Sequence, residues 1–289
     1  MSECVNGVAL ITEAFGHGIG SLLLAKAYGK KPVAFSEKLN KDEFEHDVEQ
    51  IYNNLVFFAP NMSKATWEDR EELLVNGWNV RYELLNGLIT QEMWAKAAQT
   101  KLMPEVSEKL PQFIGLKQSG CRVLFIPQKL VSDGVCGISA AQQSVPLEVF
   151  EFLKKWRSYD KYVLGQHFHK ENDKEKVEAL AKSFAMYVPG MTEDREVFGI
   201  RGVPHKKYWH MYEQINLSIG IAGTHTWYLL ACFPGVPQII LYNKKGVERW
   251  DLIEKAYQDA GYEVFCIGFD ENTDWEEFSK EVEKLYNQF

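Results

Sequence analysis

The chain of 289 residues is 46% hydrophobic and 25% charged, with a formal net charge of -8, so it can build one large or two small domains around buried cores. That acidic balance leaves no basic stripe to neutralise a phosphate backbone, which argues against a nucleic-acid partner. A small anion remains compatible with a local pocket of donors.

The opening MSECVNGVALITEAFG lacks a basic stretch followed by an apolar core and a small-residue cleavage site. No uninterrupted apolar run approaches the roughly 18 residues of a spanning helix. No transmembrane segment and a cytoplasmic location are expected. Cys4, Cys121, Cys136, Cys232 and Cys266 are odd in number, scattered and without a CxxC pair, and they read as reduced thiols, mostly in the core.

In chain order, short apolar runs alternate with amphipathic segments, the pattern of parallel sheets flanked by helices. Strands are expected at Val5 to Glu13, Pro32 to Glu37, Leu55 to Pro60 and Val80 to Leu85, with helices after Gly20 and from Asp42, Thr66 and Gln91. The Pro- and Gly-bearing stretch Lys101 to Gly120 reads as a boundary between residues 1–115 and 116–289. Beyond it, strands are expected at Cys121 to Ile126, closed by Pro127, then at Lys161 to Gly165, Ala185 to Val188, Leu217 to Ala222, Gln238 to Tyr242 and Tyr262 to Gly268. Helices are expected at Leu147 to Trp156, Lys174 to Ser183, Lys207 to Gln214, His225 to Phe233, Val247 to Ala260 and Asp274 to Phe289. The fold class is therefore α/β, with two Rossmann-like lobes whose parallel sheets face a cleft at the carboxyl ends of their strands.

Two glycine turns carry the functional signal. Gly223-Thr224-His225-Thr226 follows an apolar strand and opens a helix, so free backbone N–H groups, two hydroxyls and the helix dipole converge there as an anion site. The same residues also fit a plain helix cap. Gly16-His17-Gly18-Ile19-Gly20-Ser21 lies between the first strand and its helix, where glycines would let the backbone approach a phosphate or sugar. It falls one residue short of the dinucleotide fingerprint, and Glu37 ends the next strand where a ribose-binding acid would sit.

Gly18-Ile19-Gly20-Ser21-Leu22-Leu23-Leu24 resembles the glycine-rich opening of bacterial heptosyltransferase-like glycosyltransferases. Gly223-Thr224-His225, Gly235-Val236-Pro237 and Ile239-Ile240-Leu241 are similar to that group's C-terminal motif. The resemblance implies a GT-B architecture: an acceptor-side lobe at 1–115, a lobe at 116–289 for a nucleotide-sugar donor, no cofactor and no obligatory metal. It implies a transferase of carbohydrate biosynthesis acting on a carbohydrate or other hydroxyl acceptor.

Ser21 stands where the family carries an acid. Glu13 and His17, flanking the loop, are then the candidate bases that such a transfer requires. Gly16, Gly18, Gly20 and Ser21 are candidate substrate contacts, as are Gln128 and Lys129 after their strand, His167, and Gly223 to Thr226.

His167 and His169 form an H-x-H pair without a third ligand at a recognisable spacing, so cleft-lining donors are favoured over zinc. Lys170 and the charged loop Thr192 to Lys207 could face phosphate. Trp67, Trp78 and Trp94 fit a sugar floor or the core. An NAD(P)-dependent oxidoreductase using the first glycine turn and a non-catalytic two-lobed binding protein are the competing readings, because similar α/β lobes serve all three.

Overall fold

The computed structural model describes residues 7–13, 16–103, 123–129, 161–167, 215–246 and 248–289. The expected boundary at 115/116, the strand at Ala185 to Val188 and the helices at Leu147 to Trp156, Lys174 to Ser183 and Lys207 to Gln214 lie outside these residues. The chain is α/β with parallel sheets, and it forms two compact units.

The first unit comprises Met1–Ser107, Gly223–Pro234 and Val247–Tyr262. Its sheet holds β1 (Val8–Ile11), β2 (Lys31–Ala34), β3 (Ser63–Lys64) and β4 (Trp78–Asn79), in the parallel order β3-β2-β1-β4. Each strand of this sheet is short. Ala9, Leu10 and Ile11 are buried, as expected where helices cover a parallel sheet. β1 lies between β2 and β4, so the chain passes to opposite sides of β1 and creates a switch point at the carboxyl ends of β1 and β4.

Five helices connect or follow these strands: α1 (Gly16–Ala27), α2 (Lys41–Leu55), α3 (Arg70–Asn76), α4 (Val80–Leu85) and α5 (Gln91–Ala98). The later segments add α6 (Thr224–Cys232) and α7 (Trp250–Asp259). Asn40 starts α2 by accepting from the N–H groups of Asp42 and Glu43, a side-chain cap on orphan donors. The core is strongly aromatic. Trp94 stacks on Trp227 at 5.7 Å, Trp250 lies 5.4 Å from Trp227, and Phe58 meets Tyr228 edge-on at 4.9 Å.

The second unit comprises Glu108–Ala222, Gly235–Gly246 and Glu263–Phe289. Its parallel sheet runs β6-β5-β7-β8-β9, with β5 (Val123–Lys129), β6 (Lys161–His167), β7 (Leu217–Ile221), β8 (Gln238–Asn243) and β9 (Val264–Phe269). α8 (Trp275–Tyr286) is capped by Asp274 and buries Phe278, Val282 and Tyr286.

Three local expectations are corrected. Leu55 to Pro60 is the end of α2 and a turn: Leu55, Phe58 and Ala59 are buried without sheet pairing, and the third strand falls at Ser63–Lys64. Val80 to Leu85 is α4, capped by the Asn79 side chain on Tyr82 N–H, and the strand precedes it at Trp78–Asn79. Pro127 does not end β5, which pairs with β6 through Lys129. Pairing with β7 covers only Leu124 and Phe125, so the missing N–H of Pro127 falls where β5 is an edge.

Candidate functional site

The first glycine turn is not a loop. Gly16 opens α1, and Gly18, Gly20 and Ser21 lie within the helix. A glycine in a helix interior costs about 1 kcal/mol relative to alanine, and close packing explains why it is kept here. A Cβ on Gly18 would stand 2.1 Å from the Glu13 carbonyl oxygen, and one on Gly20 would stand 3.0 Å from the Trp227 ring. Ser21 is fully buried, and its hydroxyl has no hydrogen-bond partner among the described residues.

Glu13 lies two residues beyond β1, and Arg81 lies two residues beyond β4, in the first turn of α4. They meet at the switch point: Arg81 Nε donates to Glu13 Oε2 at 2.8 Å. His17, in the first turn of α1, reaches the same oxygen through Nδ1 at 3.1 Å. Its Nε2 lies 2.7 Å from Oε1 of Glu248, just before α7. The His17 and Trp227 rings meet in a T-shaped arrangement with centroids 6.4 Å apart.

Both donors to Glu13 take Oε2, so Oε1 has no hydrogen-bond partner among the described residues. The Glu13 side chain is 34% exposed.

Burial works against charge on His17, but the hydrogen bonds and charges of Glu13 and Glu248 outweigh it and raise the imidazole to about 9. His17 is therefore an imidazolium at neutral pH and donates from both ring nitrogens. Burial likewise opposes ionisation of Glu13, yet His17 and then Arg81 hold it below the usual carboxylate range. Glu248 is also lowered, with burial and the Glu13 charge opposed by the His17 hydrogen bond and charge. Glu248 and Arg249 also line a recess with Leu84, Gly87, Ile89 and Trp94.

The second glycine turn belongs to the same compact unit. The Cβ position of Gly16 lies 3.6 Å from Thr224 Oγ1 and 3.8 Å from Thr224 Cα, so the first residues of α1 and α6 adjoin. Gly223, before α6, has no side chain to accept from the first-turn N–H groups, which among the described residues leaves them for another acceptor. Thr226 is 4% exposed and its Oγ1 accepts from Gly223 N–H at 3.2 Å, so it closes the turn from inside. His225 is the second residue of α6.

In the second unit, Gln128 and Lys129 end β5, and Lys129 is in register with His167 at the end of β6. These three residues sit at carboxyl strand ends beside the β5–β7 switch point. His169, Lys170 and the loop Thr192 to Lys207 lie outside the described residues. Trp78 and Trp94 are 7% and 2% exposed. Trp67 packs against Phe44 and under the Arg70 guanidinium. Glu37 accepts from Asn79 Nδ2 at 2.8 Å.

Among the described residues no group of three or more His, Cys, Asp or Glu is arranged to hold a metal ion. No helix among them is long and apolar enough to cross a membrane. Cys232 and Cys266 are free thiols, and burial pushes the Cys232 thiol up to about 12. No protein-family model, curated protein or solved structure matches the chain.

Arg81 and Glu248 carried no signal in the sequence. The first looks like one charge within the expected strand at Val80 to Leu85. The second is 231 residues from its partner. Only a systematic search for charged partners of His17 could have proposed them.

Proposed function

We propose that the chain is a metal-independent glycosyltransferase that moves a sugar from a nucleotide-sugar donor to an acceptor hydroxyl, with Glu13 as the base. The observation that carries this reading is a Glu13 carboxylate anchored through Oε2 at the switch point of the first sheet, whose Oε1 has no hydrogen-bond partner among the described residues. An acceptor hydroxyl can hydrogen-bond to Oε1 without displacing Arg81 or His17. As the bond from acceptor oxygen to sugar C1 forms, the hydroxyl proton passes to Oε1. The bond from C1 to the donor phosphate breaks, and the nucleoside diphosphate leaves with the electron pair.

A carboxylate held ionised is a weak base in the ground state, and its proton affinity matters only as the attacking hydroxyl acidifies in the transition state. His17, already protonated below about 9, serves as the cation that holds Glu13. The start of α6, next to Gly16 and without a cap side chain on Gly223, supports a diphosphate site in which N–H groups and the helix dipole stabilise the leaving charge. The proposal keeps the GT-B-like reading of two Rossmann-like lobes with parallel sheets facing a cleft, but it places the diphosphate site at α6 in the first unit, where the resemblance implies the lobe at 116–289. It also includes a cytoplasmic location, a carbohydrate or other hydroxyl acceptor, and a role in carbohydrate biosynthesis.

A thermal-shift panel of nucleoside diphosphates, nucleotide sugars, NAD and NADP tests the donor claim. At a hundredfold excess over Kd, a ligand of the folded state adds about 2.7 kcal/mol, which gives a visible rise in Tm. Nucleoside diphosphates or nucleotide sugars should produce it and NAD and NADP should not. A shift with the nicotinamide nucleotides alone would replace this reading by the oxidoreductase one.

A further inference from the structure

We infer that Glu248 is a positioning residue for the transfer: reaching His17 from the segment before α7, it fixes the imidazole ring so that the opposite nitrogen holds Glu13 at the end of β1. The inference rests on the glycosyl-transfer reading, because it assigns a task to a residue that touches neither donor nor acceptor in that scheme.

The geometry is a relay of two hydrogen bonds through one ring. Glu248 Oε1 lies 2.7 Å from Nε2, and Nδ1 lies 3.1 Å from Glu13 Oε2. With its backbone fixed by α1, the His17 side chain keeps two torsions, about Cα–Cβ and Cβ–Cγ, and partners at both ring nitrogens constrain the two together, so an acceptor at Nε2 restricts where Nδ1–H can point. The T-shaped contact with Trp227, centroids 6.4 Å apart, limits the same rotations from another side. The Glu248 and His17 side chains are 16% and 21% exposed, so water competes weakly for the bond between them. The charged groups in this cluster are Glu13 beyond β1, Arg81 on α4 through Glu13, and Glu248 before α7. Two carboxylates flank one imidazole, so loss of either should leave the ring less able to hold its proton.

The direct experiment is a ¹⁵N–¹H NMR titration of the histidine rings in the full chain, with the His17 resonance assigned by its loss in His17→Gln. The wild type should titrate near 9, and Glu248→Gln should lower that midpoint by at least a full pH unit. An unchanged midpoint in Glu248→Gln, or a wild-type midpoint near 6.5, overturns the inference.

Turnover of a nucleotide sugar supplies the second readout. Glu248→Gln should lose about a hundredfold in kcat, the scale of a misplaced catalytic group, with donor KM little changed. The alkaline limb of its pH profile should move down with the NMR midpoint. In a His17→Gln background the same substitution should cost nothing further, because the relay is already cut. Equal losses in both backgrounds mean that Glu248 serves folding alone, and they overturn the positioning role. Melting curves at pH 6 confirm that each variant is folded. If no nucleotide sugar is turned over by the wild type, the glycosyl-transfer reading fails, and the titration alone then decides whether Glu248 governs the His17 ring.

Discussion

Arg81 and His17 both donate to Oε2 of Glu13, and this one-sided anchoring favours the ionised form of a half-buried carboxylate; in the proposed scheme it keeps Oε1 for an incoming hydroxyl. The same cluster makes stability depend on pH with a definite sign. His17 is raised from 6.5 to about 9, so its contribution is complete below 6.5 and is lost as pH rises through 9. Glu13 and Glu248 are lowered from 4.5, so their contributions are present above 4.5 and are lost as pH falls.

The alkaline loss is worth about 3 kcal/mol if the full His17 shift is realised. Urea midpoints measured from pH 6 to pH 10 should therefore fall in the wild type and fall much less in His17→Gln. Parallel declines in the two proteins would show that His17 carries no such charge. Glu13 and His17 were legible in the sequence because they flank a glycine cluster after an apolar strand. Arg81 and Glu248 were not, because only folding brings them to the same imidazole and carboxylate.

Among the elements, α1 shows most clearly where sequence pattern and packing part. Three glycines in five residues read as a loop, since each disfavours a helix by itself. Their missing side chains instead admit the Glu13 carbonyl oxygen at Gly18 and the Trp227 ring at Gly20. Gly18→Ala would place its methyl 2.1 Å from that oxygen, so α1 or the end of β1 must shift. The expected cost is about 1–3 kcal/mol, typical of overpacking. Gly235→Ala, where a Cβ meets nothing within 4 Å, should stay within about 0.5 kcal/mol of the wild type. Denaturant melts of the pair check this, and equal stabilities would remove the packing explanation.

Long, well-capped elements were easier to read. α2 follows Asn40 and α8 follows Asp274, each with acidic residues in its first turn. The six residues of α4 carry too little periodicity to separate helix from strand, and the apolar run after Leu55 continues into a turn that buries Phe58 and Ala59.

At the scale of the whole molecule, the chain builds its first unit from distant stretches. Gly223–Pro234 and Val247–Tyr262 join Met1–Ser107, bringing Trp227, Trp250 and Glu248 to the glycines of α1 and to His17. The alternation of apolar runs made both parallel sheets legible, whereas the return of α6 and α7 to the first unit depends on long-range packing that no local pattern encodes. This return puts the start of α6 beside Gly16, so base and diphosphate site fall within one compact unit in the proposed scheme. The chain contains no D-x-D pair to hold a divalent ion, and the scheme assigns the diphosphate to backbone donors and basic side chains. The measurement that tests this account most directly is ³¹P NMR of a nucleotide-sugar mixture incubated with candidate acceptors and excess chelator. The account predicts that the wild type releases a nucleoside diphosphate without magnesium and that Glu13→Gln releases it about a hundred to ten thousand times more slowly; equal release by both proteins, or release only when magnesium is restored, would contradict it.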